Sequence, residues 1–268
     1  MADVVIFGVL WIAVTVIAEL AFHQIAGHTM YFIIARQGHL SQDAFNFLAT
    51  WLLPIFLFVT VFLIYTAVRF RAPNGKAVKS ASQVVQNKMF VGIWVGLSFV
   101  INVLFWLHPT AADLETMFSR DFLAKNTKDV IVNVTARQWE WMFSLPQYHI
   151  TQAVSKTGVD ELKLPVGRRV EFVLRSYDPF HTYDVEAGVI HSFWVPAFGI
   201  KQDVIPGETR YEFITPTQKA SYKTNPMVRV QCAEVCGPGH PWMEAPISIV
   251  SASAFKSWVK QEQKLQGG

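Results

Sequence analysis

Hydrophobic residues in this chain fall into two arrangements. Toward the N-terminus they form three long runs, residues 4–22 (VVIFGVLWIAVTVIAELAF), 45–68 (FNFLATWLLPIFLFVTVFLIYTAV) and 89–107 (MFVGIWVGLSFVINVLFWL). The first holds one ionisable side chain, Glu19, and the other two hold none. Each is near the length of about 20 residues that crosses a hydrocarbon core, so each predicts a transmembrane helix. Pro54 in the second run is no obstacle, because membrane helices tolerate proline where neighbours re-satisfy the backbone. From about residue 128 the pattern shortens to period two. In RVEFVLR, Val170, Phe172 and Leu174 share one face while Arg169, Glu171 and Arg175 take the other. DVIVNVT, TRYEFIT, MVRVQC and PISIV repeat the alternation between turns such as Pro165–Gly167 and Pro206–Gly207. They predict an antiparallel sandwich or Greek-key barrel. A short amphipathic helix closes the chain, from Ser253 as N-cap through Phe255, Trp258, Val259, Glu262 and Leu265.

The boundary between the patterns predicts an anchor over residues 1–110 and a second domain over 111–268. Basic residues orient the anchor: Arg69, Arg71, Lys76, Lys79 and Lys88 join the second and third runs, and no acid lies between Asp43 and Asp113. By the positive-inside rule that link is cytoplasmic, which sends the large C-terminal domain outside. Asp3 stands where a cleaved signal peptide carries basic residues, so a retained first helix is expected. An apolar share of 51% exceeds that of an ordinary soluble chain. The net charge of +3 comes without a Lys/Arg run interleaved with aromatics, which excludes nucleic acid as a partner.

Candidate chemistry concentrates in CAEVCGPGHPWM, residues 232–243, which contains both cysteines of the chain. A disulfide closing so short a loop removes little chain entropy. Structural zinc takes nitrogen, sulfur or carboxylate ligands and has no use for the Met243 thioether. Soft thiolate, imidazole and thioether together select copper. A mononuclear blue-copper site needs one cysteine, whereas Cys232 and Cys236 can bridge two metals. The second imidazole such a pair requires is offered by His191, at the start of an apolar run. His23, His28, His39, His149 and His181 are read as ordinary loop or core histidines.

These residues resemble subunit II of the haem-copper cytochrome oxidases, the subunit carrying the dinuclear copper A centre. The family pattern C-x-E-x-C-x3-H-x2-M falls on Cys232, Glu234, Cys236, His240 and Met243. HSFWVP followed by K-x-D-x-IPG runs from His191 to Gly207, and RQWEWMF, residues 137–143, is similar to the family's QWxW segment. The resemblance covers residues 45–260 or so and implies a cupredoxin-like barrel on the outer side of a bacterial or archaeal plasma membrane. It implies Cys232 and Cys236 as bridging thiolates, His191 and His240 as terminal imidazoles, Met243 as a weak ligand and Glu234 as a ligand through its carbonyl. The Glu234 carboxylate is implied to reach a magnesium ion at the boundary with subunit I. Trp139 is implied to be where electrons arrive, with Trp141 in the core.

The function implied is that of an oxidoreductase subunit. Electrons pass from a soluble cytochrome c or cupredoxin to haem in subunit I, where oxygen is reduced to water, with subunit III and membrane lipid as further partners. The alternative is a membrane-anchored copper-binding or copper-delivery protein without an oxidase partner. The chain departs from the family in its extra first helix with Glu19, and in QNKMFVGIW, which lacks the carboxylate associated with proton uptake. Gly188 replaces an acidic docking residue three positions before His191, with Asp178, Asp184 and Glu186 as an upstream substitute patch.

Overall fold

A computed structural model describes residues 2–26, 32–71, 87–107, 111, 128–153, 161–177 and 188–266. The chain divides into two compact units: Met1–Thr29 with Gln42–Thr116, and Met30–Ser41 with Met117–Gly268.

The first unit is built on α1 (Ala2–Ala26), α3 (Lys88–Phe105) and α2 (Arg36–Arg69) from Gln42 onward, all three helices being long and apolar enough to cross a membrane. α2 begins nine residues before the expected start at 45, because its polar first turns carry the same backbone ladder outward from the apolar run. α1 and α2 meet antiparallel along an aromatic seam. The Phe7 ring stands edge-on to Phe58 at 5.3 Å and to Phe62 at 5.9 Å, and the Trp11 indole donates to the Pro54 carbonyl at 3.0 Å. At one end Asp3 accepts from the Tyr65 hydroxyl at 2.7 Å and from Arg69 Nε at 2.8 Å. Glu19 faces His23 one turn on at 3.6 Å, beyond hydrogen-bond length. α3 is capped by Asn87, whose side chain accepts from the backbone of Met89 and Phe90.

The second unit is a β-sandwich. One sheet runs in the order β2 (Glu140–Ser144), β1 (Val130–Arg137), β4 (Val170–Ser176), β7 (Arg210–Ile214). The other runs β3 (Leu162–Pro165), β10 (Glu244–Val250), β9 (Arg229–Cys232), β5 (His191–Val195), β6 (Ile200–Val204), with β8 (Ala220–Ser221) also paired to β10. Two pairings, β1 with β4 and β10 with β3, are parallel, where alternation alone suggested an antiparallel fold. Period two specifies which face is buried and says nothing of strand direction.

The core follows the predicted parity in β1, where Val130, Val132, Val134 and Ala136 are buried. β4 departs from it, because Glu171 is buried as well. β4 lies between two neighbours, and Phe213 stands opposite Glu171 in the register. The Arg169 guanidinium covers the Phe213 ring at 5.1 Å while pairing with Asp129 at 2.6 Å. The closing helix α4 (Ala252–Leu265) buries Phe255, Trp258, Val259 and Glu262. Its cap is Ser251 rather than Ser253, with the hydroxyl accepting from Ala254 N at 3.2 Å.

The β unit also takes in Met30–Ser41, a stretch the hydropathy pattern assigned to the anchor. Ile33, Ile34 and Ala35 are buried. Ile34 N donates to Ala197 O and Thr217 N to Ile34 O, both at 2.8 Å. Gly38 and Gly199 then meet backbone to backbone: a Cβ on Gly199, where φ is +67°, would lie 2.6 Å from Gly38 Cα. Only glycine permits that approach at that φ.

Candidate metal centre

Two neighbouring strands and one loop assemble the candidate ligands. Phe193 of β5 stands opposite Cys232 of β9. Side chains two apart on a strand share a face, so His191 points to the same side as Phe193 and reaches Cys232, with Nδ1 at 3.7 Å from Sγ. After Cys232 the chain leaves the sheet and returns to it at Glu244, where β10 begins. The loop between is tied by Cys232 N to Met243 O at 3.0 Å, His240 N to Gly237 O at 3.0 Å and Ala233 N to Ser192 O at 3.0 Å.

These ties bring both sulfurs of the cysteines, two imidazoles and a thioether together. Cys236 Sγ lies 3.8 Å from Cys232 Sγ, 3.6 Å from His240 Nδ1 and 3.7 Å from Met243 Sδ. The Glu234 carbonyl is 3.2 Å from Cys232 Sγ, while its side chain is on the exposed surface. Both thiols are free, at a separation far beyond the roughly 2.05 Å of a disulfide. His191, Cys232 and Cys236 offer ligand atoms all within 4.8 Å of one another, a possible metal site.

The electrostatics suit a cation. Burial pushes the Cys236 thiol up to about 12, reinforced by the neighbouring Cys232. Burial, with His240 nearby, holds His191 down at about 4, so that its imidazole is neutral with a lone pair free at neutral pH. The Cys236 thiol, which burial keeps protonated in the absence of a cation, would lose its proton on donating to a soft metal ion, and thiolate, imidazole and thioether are soft donors.

The hairpin between β1 and β2 leans on this loop. Trp139 is 41% exposed, and its indole N–H donates to the Cys236 carbonyl at 3.0 Å. A Cβ on Gly239 would lie 2.3 Å from Trp139 Cδ2, so the bare glycine is what lets the ring sit against the loop. Trp141 is buried, as expected, and donates to Met243 O at 3.2 Å. Gln138 was not singled out from the sequence, yet its Nε2 donates to Cys236 O at 2.7 Å. It is the first residue of the QWxW segment, in which only the tryptophans were given roles. Ser192 was missed too; its hydroxyl donates to Asp203 Oδ1 at 2.9 Å. His23, His39 and His149 are exposed and outside the cluster. His28, His181, Asp178, Asp184, Glu186, Lys76 and Lys79 lie outside the described residues.

Apolar helices joined to a β-sandwich that gathers soft donors at one loop define a membrane protein with a cupredoxin-like outer domain. Residues 130–252 match the family described as cytochrome c oxidase subunit II, periplasmic domain. The similarity to that family covers these residues, a little under half of the chain. The chain is 29% identical over 204 residues to cytochrome c oxidase subunit 2 of Bacillus subtilis, covering 75% of this chain and 53% of that one. It is 27% identical over 238 residues to the subunit 2 of Cereibacter sphaeroides, covering 81% and 74%. The chain thus spans about half the length of the Bacillus relative. Among solved structures, the periplasmic domain of cytochrome oxidase subunit II of Bradyrhizobium japonicum is 26% identical, with a TM-score of 0.40, covering 52% of this chain and 96% of that one.

Proposed function

We propose that this chain is the electron-accepting subunit of a haem-copper terminal oxidase. It takes electrons from a soluble cytochrome c or cupredoxin and passes them to haem in subunit I, where oxygen is reduced to water. The observation that carries this reading is the convergence of two free thiols, two imidazoles and a thioether at separations of 3.6–3.8 Å. Cys232, Cys236, His191, His240 and Met243 would hold the metal through sulfur and imidazole nitrogen, with the Met243 thioether the weak donor, and Glu234 would contribute its carbonyl. A dinuclear copper A centre bound there supplies one-electron exchange.

The chain's own residues prepare that exchange. Burial of His191, Cys232, Cys236 and Met243 keeps water from the donor atoms. A set of donors held in advance by two strands and a tied loop moves little when charge changes, which keeps reorganisation small. The half-exposed Trp139 offers a π surface to a donor on one side and a hydrogen bond to the Cys236 peptide on the other. The exposed Glu234 carboxylate is assigned to a magnesium ion shared with subunit I. Subunit III and lipid complete the partners, in a prokaryotic plasma membrane with the β domain outside. Buried, turn-locked donors speak against a copper-delivery role, which calls for exchangeable ligands on the surface.

Electron paramagnetic resonance of the full chain in detergent, loaded with copper, tests the reading. Two coppers per chain sharing one unpaired electron are expected. A four-line signal from a single copper would overturn it.

A further inference from the structure

The hairpin that supplies Trp139 does more than present an aromatic surface. Three N–H groups from one short stretch reach two carbonyls of the ligand loop: Gln138 Nε2 and Trp139 Nε1 both bind Cys236 O, and Trp141 Nε1 binds Met243 O. The stretch belongs to the β2–β1 end of one sheet, whereas the loop joins β9 to β10 in the other. The donors therefore tie the sheets together at the carbonyls of two candidate ligand residues. Trp139 and Trp141 also have packing roles, since one ring rests against Gly239 and the other is buried against Phe193 at 5.7 Å. Gln138 is different. It is an exposed residue whose amide makes the shortest of the three contacts, and apolar packing does not explain its presence.

We propose that Gln138 is a positioning residue of the metal centre: its amide holds the Cys236 peptide, and with it the angle at which the Cys236 sulfur is presented, and biases the centre toward its reduced form. The inference rests on the copper reading above. The physical grounds are two. A carbonyl accepting two N–H bonds is restrained in orientation, and Cys236 lies in a loop followed by Gly237 at a φ of +112°, a backbone that does not restrain itself. An N–H directed at that carbonyl also places the positive end of its dipole on the residue that carries the sulfur. A positive potential there favours the state carrying the additional electron, and outer hydrogen bonds of this kind tune both affinity and potential at metal sites. Its loss is expected to lower the midpoint potential and to loosen the metal.

The test compares Gln138→Met, which keeps the length and removes the donor, with Gln138→His, which retains a ring N–H. Both are made in the full chain in detergent and loaded with copper. Copper stoichiometry, midpoint potential, hyperfine splitting, the rate of copper loss to a chelator and the unfolding temperature of the metal-free form are measured. Gln138→Met is expected to keep two coppers, shift the potential downward, alter the splitting and release copper about tenfold faster, the lower end of the effect of outer-sphere partners. Gln138→His is expected to fall between Gln138→Met and the parent. If Gln138→Met lowers only the unfolding temperature of the metal-free form, with potential, splitting and release unchanged, the residue is merely structural and the proposal fails. A parent chain that forms no two-copper centre sinks the copper reading, and this inference with it. A parent that forms one, with an indistinguishable Gln138→Met variant, sinks this inference alone.

Discussion

The two halves of the cluster are held in different ways. His191 and Cys232 belong to strands β5 and β9, and β5 is further paired with β6 through five register positions from His191↔Val204 to Val195↔Ile200. Cys236, His240 and Met243 belong to a loop whose shape depends on a few contacts: Cys232 N to Met243 O, and the N–H groups of Gln138, Trp139 and Trp141. The strand half shares its restraint with the hydrophobic core, so disturbing it costs folding stability. The loop half buries Cys236 and Met243 in that core too, but its backbone is restrained by individual hydrogen bonds, so changes at its exposed positions and at those bonds cost the fold little. Stability and metal geometry are therefore separable by mutation in this molecule.

The strongest way to break that separation is at the two sulfurs, which join the halves. Cys232→Ser and Cys236→Ser are each expected to abolish the shared-electron signal completely, although one lies on a strand and the other in the loop. Retention of that signal in either variant would show that the halves are not bridged. Met243→Leu is expected to leave two coppers bound and move only the midpoint potential, because a thioether is the weak ligand.

Next in size are the effects on folding. Phe193 is fully buried between His191 and Val195 and touches the rings of Trp141 and Phe172, at 5.7 and 5.0 Å. Phe193→Ala is expected to destabilise the metal-free chain by about 3–5 kcal/mol. Trp242, in the loop and 77% exposed, is the control. Trp242→Ala is expected to change stability by no more than about 0.5 kcal/mol. Denaturant unfolding followed by tryptophan fluorescence measures both, and equal losses would erase the distinction between the halves.

Trp139 tests the loop half in isolation. Trp139→Leu is expected to slow reduction by the donor at least tenfold while two coppers remain bound, as read by stopped-flow absorbance. A comparable loss of copper would reassign the residue from electron uptake to holding the loop.

The smallest effect lies away from the cluster, on β7 in the other sheet. Burial pushes Glu212 up to about 7, against which its acceptance of the Phe213 N–H at 3.3 Å acts only weakly. The folded chain thus holds this proton more tightly than the unfolded chain, whose carboxyl titrates near 4.5. Its contribution to stability is fully present below that lower value and is lost as pH rises through about 7, after which it levels. Glu212→Gln is expected to flatten this slope in unfolding measurements between pH 5 and 8. A midpoint potential that also changed would show that the two sheets are electrostatically coupled at the centre.

Much of this architecture was legible because it is written in short-range patterns. An apolar run needs only length to become a membrane helix, and alternation in β1 needs only parity to bury Val130, Val132, Val134 and Ala136. The errors arose where a residue's surroundings came from elsewhere. Glu171 alternates as a surface residue and is buried, on an inner strand of its sheet with Phe213 opposite it in the register. Ser253 fits the pattern of a cap, but Ser251 is the residue whose backbone is extended and whose hydroxyl reaches Ala254 N. Residues 33–35 read as a loop between helices and are instead core of the β unit.

By itself the sequence determined the chemical inventory and its local spacing: three membrane-length apolar helices, a β domain, and a loop carrying Cys232, Cys236, His240 and Met243 within twelve positions. Donor identity and short-range spacing are covalent properties, so no fold is needed to read them. Only the tertiary structure decided that His191, 41 positions before Cys232, stands 3.7 Å from its sulfur, and that the Gln138 amide reaches the Cys236 carbonyl across 98 positions. Those meetings depend on which strands become neighbours and in what register. Register is set by the collective burial of side chains such as Phe193, whose partners are distributed over both sheets.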